Sequence, residues 1–391
     1  VAQREHDLVL FGATGFTGAL TAEYLARNAP DHARWALAGR NQGKLEQLRD
    51  RLGRINPKAK DLPLLIADVT DAASLAKVAA ATKVVITTVG PYLHHGEPLV
   101  AACAEAGTDY VDLTGEPEFV DRMYLAHHGR ATETGARIVH ACGFDSIPYD
   151  LGVYYTVQQL GTQQFGMGEP ISIDGVVRTN ASFSGGTFAS ALTAFSRLGP
   201  MRRVAKDRRA VEPREAKVHL PVGVPHYHGP AGVWAIPLPT VDPQIVGRSA
   251  AALRYAPDFT YREFLGVSRL PTALAFGAGA AGLVGAAQVP PLRKWLQGKN
   301  KPGDGPSEER RAKSRFSVTF YAKTPQSRLV TEVSGGDPGY DETAKMLSES
   351  ALCLAFDDLP ATAGQVTTAT AMGSALVDRL VKAGITFRTR S

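Results

Sequence analysis

The feature that most limits what this chain can fold into is seven residues long: Gly12-Ala13-Thr14-Gly15-Phe16-Thr17-Gly18, directly after the apolar run 8–11. Three glycines at this spacing between a strand and a helix have separate duties. The first turns the chain tightly, the second lets backbone approach a pyrophosphate, and the third lets the helix pack close to the strand. A helix starting near Phe16 aims its free amides and positive end at phosphate. The loop therefore predicts a dinucleotide site on a Rossmann-type domain, contacted by Gly12, Thr14, Gly15, Phe16, Thr17 and Gly18.

The surrounding pattern agrees. Short apolar runs at 8–11, 35–38, 62–67, 84–88, 110–113 and 137–141 alternate with helical stretches such as 20–26 and 98–106, which predicts βαβ units and a parallel sheet. From about Pro170 the texture changes to longer β-like runs at 171–179, 316–322 and 329–333. The predicted fold is α/β: a Rossmann-type doubly wound parallel sheet with a second α+β domain built on a mixed or antiparallel sheet. The expected boundaries are 1–148 for the dinucleotide domain, 149–336 for a substrate or interaction domain, and 337–391 for C-terminal helices packing back on the pair. The polar stretch 299–313 reads as an exposed loop, and helical patterns cover 341–355 and 365–383, with Gly384 as a stop.

The ends of the predicted strands say which dinucleotide. The second ends Ala38-Gly39-Arg40-Asn41, where an NAD enzyme usually places a carboxylate for the ribose 2′-hydroxyl. A guanidinium there pairs with a 2′-phosphate and stacks on adenine. NADP(H) is therefore expected, with Arg40 as main reader and Gly39, Asn41 and Lys44 in support; a solvated surface charge is the plain alternative for Arg40. The third strand ends at Asp68-Val69, placed either at the adenine amino group or in a turn. The fourth ends Thr88-Val89-Gly90-Pro91-Tyr92, small enough for the nicotinamide half to lie across it.

The glycine loop, Ala38-Gly39-Arg40, Thr88 to Tyr92, Thr114-Gly115-Glu116, Ala141-Cys142-Gly143-Phe144-Asp145-Ser146-Ile147-Pro148, Asp337-Pro338-Gly339-Tyr340 and Ala369-Thr370-Ala371-Met372-Gly373 together resemble the saccharopine dehydrogenase-like family. Within it they are similar to the mycobacterial trans-acting enoyl reductases. One departure is Tyr149, where relatives commonly carry Ser before Asp150. The resemblance implies NADPH-dependent reduction of an α,β-unsaturated acyl thioester, held on a carrier protein or on a polyketide synthase without its own working enoyl reductase, in cell-envelope lipid synthesis. Two rivals stay open: saccharopine-type carbon–nitrogen redox chemistry, and a non-catalytic NADP-binding protein that contacts lipid or membrane.

Enoyl reduction needs a donor for the thioester oxygen and a proton for the α carbon. Tyr92 is the first candidate, or else an aromatic wall for the cofactor. Asp145 and Ser146 lie where ligands of open α/β sheets bind, although Asp145 could instead cap the helix near Pro148. His94 and His95 are relay candidates or inert surface groups, Glu116 borders the cleft or caps a helix, and Cys142 reads as buried. Arg178, Arg197, Arg202 and Arg203 would suit a phosphopantetheine arm or simply a solvated face. Cys103, Cys142 and Cys353 form no zinc or disulfide pattern. The formal charge of +5 is spread among acidic residues, so nucleic acid is not expected and no metal is assigned. The start of the sequence shows no secretion pattern, and a cytoplasmic protein is expected.

From 270 to 292 no residue is charged, with Arg269 before and Arg293-Lys294-Trp295 after. Three readings fit: a packed helix or homo-oligomer contact, a monotopic element on the inner face of the plasma membrane, or a membrane span.

Overall fold

The computed structural model describes residues 4–161, 168–181, 192–213, 216–238, 240–299 and 306–390. Six early strands, β1 (His6–Phe11), β2 (Trp35–Gly39), β3 (Leu64–Ile66), β4 (Thr82–Thr87), β5 (Asp109–Val111) and β6 (Arg137–Val139), order themselves β3-β2-β1-β4-β5-β6. Every pairing is parallel. The order reverses between β1 and β4, the switch point outside which open α/β sheets hold their ligands. Alternation buries both faces, with Leu8 and Leu10 in one apolar cluster and Val9 and Phe11 in the other.

The second sheet takes β7 (Ile171–Thr179), β8 (Lys217–His219), β9 (His226–His228), β10 (Val233–Pro237), β11 (Asp258–Val267), β12 (Phe316–Lys323) and β13 (Arg328–Gly335), closed on one edge by β15 (Thr386–Arg390). It is mixed, because β7 runs parallel to β11 and antiparallel to β12. Helix Ile147–Gln159, which leaves the β6 loop, packs on it so closely that a Cβ at Gly152 would stand 2.3 Å from Phe320.

The end of the chain ties the sheets together. Helix Asp341–Phe356 covers a face of the first sheet, where Met346, Leu347, Ala351 and Leu352 join Leu8, Leu10, Val84 and Ile86 in one core. Strand β14 (Gly364–Val366) then extends the first sheet beyond β6, and β15 extends the second. The single helix expected over 365–383 is instead β14, helix Thr368–Ala371 and helix Gly373–Lys382, broken where Gly373 takes φ +46°. Gly384, at φ +94°, stops the last helix as expected.

Two more expectations change. Within the polar stretch 299–313, residues 300–305 lie outside the described residues, but Glu308–Lys313 is a helix and Arg311 pairs with Asp341 at 2.9 Å. The uncharged stretch forms helix Leu270–Gln288, followed by helix Pro290–Lys299. The helix touches β10 and β11 and puts Ala273 in the core, but only 6% of its most apolar 18-residue window is buried.

Candidate active site

The glycine loop has the geometry its sequence predicts. Gly12 sits at φ +83°, and a Cβ there would come within 2.6 Å of Val89. Its carbonyl accepts from the Gly15 amide at 3.1 Å and the Thr88 hydroxyl at 3.2 Å. A Cβ on Gly18 would stand 2.3 Å from that carbonyl, so the helix can lie this close only with glycine. At Gly15 a Cβ would meet nothing nearer than 3.5 Å. The crowding glycine needs here would come from a ligand. Helix Phe16–Asn28 starts at Gly15 with no side-chain cap, and Thr14 and Gly15 are exposed. Open amides beside a bare backbone fit a pyrophosphate.

Arg40 is exposed immediately after β2, as a 2′-phosphate reader must be. Lys44 is exposed on the next helix, while the Asn41 carbonyl oxygen caps that helix by accepting from the Lys44 amide at 2.9 Å. Asp68 accepts from the Thr70 amide at 2.9 Å and hydroxyl at 2.7 Å, which hold its carboxyl below the usual range. That is turn geometry for Asp68, the plainer of its two readings. Thr88, Val89, Gly90 and Pro91 follow β4 beside the Gly12 turn, and Val69 lies next to Asp68 at the end of β3.

Tyr92 is a correction. Its hydroxyl donates to the Thr87 carbonyl at 3.1 Å and accepts from the Leu113 amide at 3.2 Å, and the side chain is buried against Phe119. Burial and nearby carboxylates push its ionisation well above the ordinary tyrosine value. A hydroxyl committed to two backbone groups braces the ends of β4 and β5 rather than delivering a proton. Glu116 supports the same turn, accepting from the Tyr92 and Leu93 amides at 3.1 and 2.8 Å, so it is a helix cap. His94 and His95 are both exposed.

The β6 loop is built on Asp112, which the sequence reading missed. Its carboxylate accepts from the Ala141 and Thr114 amides at 2.9 and 3.0 Å and from the Tyr110 hydroxyl at 3.0 Å, and lies 2.7 Å from His140 Nδ1. Its carbonyl takes the Cys142 amide at 2.7 Å. Ala141 is thereby held at φ +60°, a conformation alanine rarely adopts. The turn that follows delivers Asp145 over Gly115, where a Cβ would lie 3.2 Å from Asp145 Oδ2. Asp145 has no hydrogen-bond partner or counter-charge among the described residues, and does not cap the following helix, whose N-cap is Ser146. Its carboxyl keeps some solvent access yet is surrounded by packed atoms, and that desolvation raises it to about 6. Ser146 is fully buried with an unpartnered hydroxyl. Cys142 is buried and far from ionising.

A second acidic group comes from the other sheet. Glu263 on β11 accepts from the Thr240 hydroxyl at 3.2 Å and the Tyr261 hydroxyl at 3.3 Å, and it shares a hydrogen bond with Asp242. Both carboxyls are buried and Asp242 Oδ1 has no partner. Desolvation raises both, the Glu263 charge raises Asp242 further while the Asp242 hydrogen bond lowers Glu263, and each feels the charge of Asp145. Val241 packs with Ala141 and Val120, which fixes this pair next to the β6 loop. Sequence spacing carries no signal for it, since 20 residues separate the two acids.

The C-terminal segment closes this edge. The Tyr340 ring meets Phe16 at 4.9 Å, Arg311 lies 5.7 Å from the Phe16 ring, and Thr343 accepts from the Phe144 amide at 3.1 Å. Arg197 is held by Glu118 at 2.7 and 2.8 Å, whereas Arg178, Arg202 and Arg203 are exposed.

The profile of the saccharopine dehydrogenase NADP-binding domain matches residues 8–139, and the cofactor is NADP(H). The trans-acting enoyl reductases of Mycobacterium ulcerans and Mycobacterium bovis are 38% and 37% identical, over 98% and 99% of this chain and 97% and 98% of theirs. A Mycobacterium tuberculosis protein bearing the same name provisionally is 40% identical over 99% of this chain and 98% of its own. Among solved structures, apo saccharopine dehydrogenase (L-Glu forming) from Saccharomyces cerevisiae superposes with a TM-score of 0.57 at 12% identity, over 99% of this chain and all of the other. That likeness concerns fold.

Proposed function

Because the chain belongs to the trans-acting enoyl reductase family, we propose that this NADP-dependent oxidoreductase reduces the carbon–carbon double bond of an α,β-unsaturated acyl thioester presented by a carrier protein or polyketide synthase. The carrying observation is the full-length likeness to enzymes of that name. When bound, NADPH would supply the hydride for the β carbon. Gly12, Gly15, Gly18 and the Phe16 and Thr17 amides would hold the pyrophosphate, Arg40 and Lys44 the 2′-phosphate, and Thr88 to Pro91 the nicotinamide half. Asp145 is the proton source for the α carbon: a carboxyl raised to about 6 by burial, without a counter-charge, retains a proton to give.

Saccharopine-type chemistry would need cations for small carboxylates. Three arginines of this region are already paired with acids: Arg208 with Asp121 and Glu212, Arg262 with Asp174, and Arg248 with Asp121, although Arg248 Nη1 is buried without a partner among the described residues. This favours an uncharged acyl chain. The reading places the protein in the cytoplasm, with the uncovered helix Leu270–Gln288 as its point of contact with the inner membrane face or with a second copy.

Incubation with NADPH and a carrier-linked enoyl chain tests the proposal. The expected result is NADPH loss matched mole for mole by saturated product. Oxidation of NADPH with an oxo acid and an amino acid, and none with enoyl thioesters, selects the carbon–nitrogen rival. Tight cofactor binding with no turnover on either selects the non-catalytic one.

A further inference from the structure

Helix Leu270–Gln288 touches β10 and β11, with Ala273 and Ala287 buried, and leaves most of its surface open. Leu274 is 65% and Phe276 39% exposed, and Cβ atoms built on Gly277, Gly279, Gly282 or Gly285 would meet nothing within 4 Å. The apolar surface continues through Val289, Leu292 and Trp295, the last 55% exposed. A helix that is apolar all round belongs in a core or in lipid, and the described residues cover little of this one.

Charge and topology say what covers it. From 264 to 299 there is no Asp or Glu, while Arg269 stands at one end and Arg293, Lys294 and Lys299 at the other. Cations flanking an uncharged helix, with a tryptophan beside them, match an anionic lipid surface. A symmetric contact with a second copy would bring the same cations together with no acid to meet them. The chain leaves the second sheet at the end of β11 and returns at the start of β12, and both points sit at the carboxyl end of β7, one on each side of it: Leu265 pairs with Val177, and Phe316 with Thr179. A single crossing would put these ends on opposite sides of the bilayer. The helix that follows, Pro290–Lys299, has ten residues, too few for a return crossing.

We propose that helix Leu270–Gln288 and the beginning of Pro290–Lys299 form a monotopic anchor that lies within the interface of an anionic bilayer, with Arg269 and Arg293 at the headgroups. About 28 Å of helix, at ~1.5 Å per residue, then rests in the plane of the membrane. The bulk of both sheets stays in water. The anchor does not depend on which substrate is reduced.

Co-sedimentation of the full chain with vesicles of phosphatidylcholine, alone or mixed with phosphatidylglycerol, tests it. The expected result is several-fold more binding to the mixed vesicles, weakened by salt. The double variant Leu274→Glu/Phe276→Glu should bind at least about tenfold less while keeping its Tm and its NADPH affinity. Equal binding of variant and wild type, or none by either, overturns the anchor. A lipid-free dimer that the double variant converts to monomer assigns the surface to a second copy instead. Protection of segments on both sides of 270–288 from added protease would overturn the in-plane geometry.

Discussion

At the scale of single residues, position relative to hydrogen-bonding backbone decides what a polar side chain can do. Tyr92 and Asp145 were equally legible as candidates, because each follows a strand that ends at the cofactor edge. What the sequence could not show is that Leu113 and Thr87 would claim the Tyr92 hydroxyl, or that Asp145 would be left without a partner. Tyr92→Phe should therefore leave kcat within a few-fold of wild type and cost about 1–2 kcal/mol of stability, read by denaturant unfolding. Asp145→Asn should lower kcat strongly. In the wild type, kcat/KM should fall as pH rises through about 6, since the proton being donated is lost there, and that limb should be missing in the variant. Arg40→Ala should raise KM for NADPH by about 10–100-fold and leave KM for NADH nearly unchanged; equal effects on the two cofactors would count against a 2′-phosphate contact.

At the scale of elements, the Rossmann half was legible because its periodicity is local: each strand and its following helix announce themselves within about 30 residues. The glycine loop is the clearest case, and its three glycines separate by mechanism. Gly18→Ala drives a methyl into the Gly12 carbonyl and should unfold or loosen the first helix, seen as a fall in Tm without cofactor. Gly15→Ala meets no protein atom closer than 3.5 Å, so it should fold normally and lose NADPH affinity in titration. The second sheet was only partly legible, because β8 and β9 are three residues each and take their stability from partners distant in sequence. Strand β14 was mistaken for helix for the same reason: three residues paired with β6 override a helical pattern. Asp112 was invisible because its partners at 140 and 141 reach it only after β5 and β6 pair.

At the scale of the whole molecule, the active edge exists only where the two sheets and the C-terminal segment meet. Asp145 comes from the first sheet, Asp242 and Glu263 from the second, and Tyr340 and Thr343 from the segment that locks them. The acidic pair leaves a trace in stability. Its carboxyls hold protons in the folded state at pH values where the unfolded chain has released them, so stability is greatest at the low end of the carboxylate range and is lost as pH rises. Glu263→Gln should flatten this slope, so that its Tm gains on wild type by about a few degrees between mildly acidic and mildly alkaline buffer, by calorimetry. The central claim, hydride addition to an acyl double bond, is tested most directly by turnover of a carrier-bound enoyl chain with NADPH deuterated at the transferable position. The account predicts a saturated product with one deuterium at the β carbon and a solvent-derived hydrogen at the α carbon. Unchanged enoyl chain beside fully bound, unoxidised cofactor would contradict it.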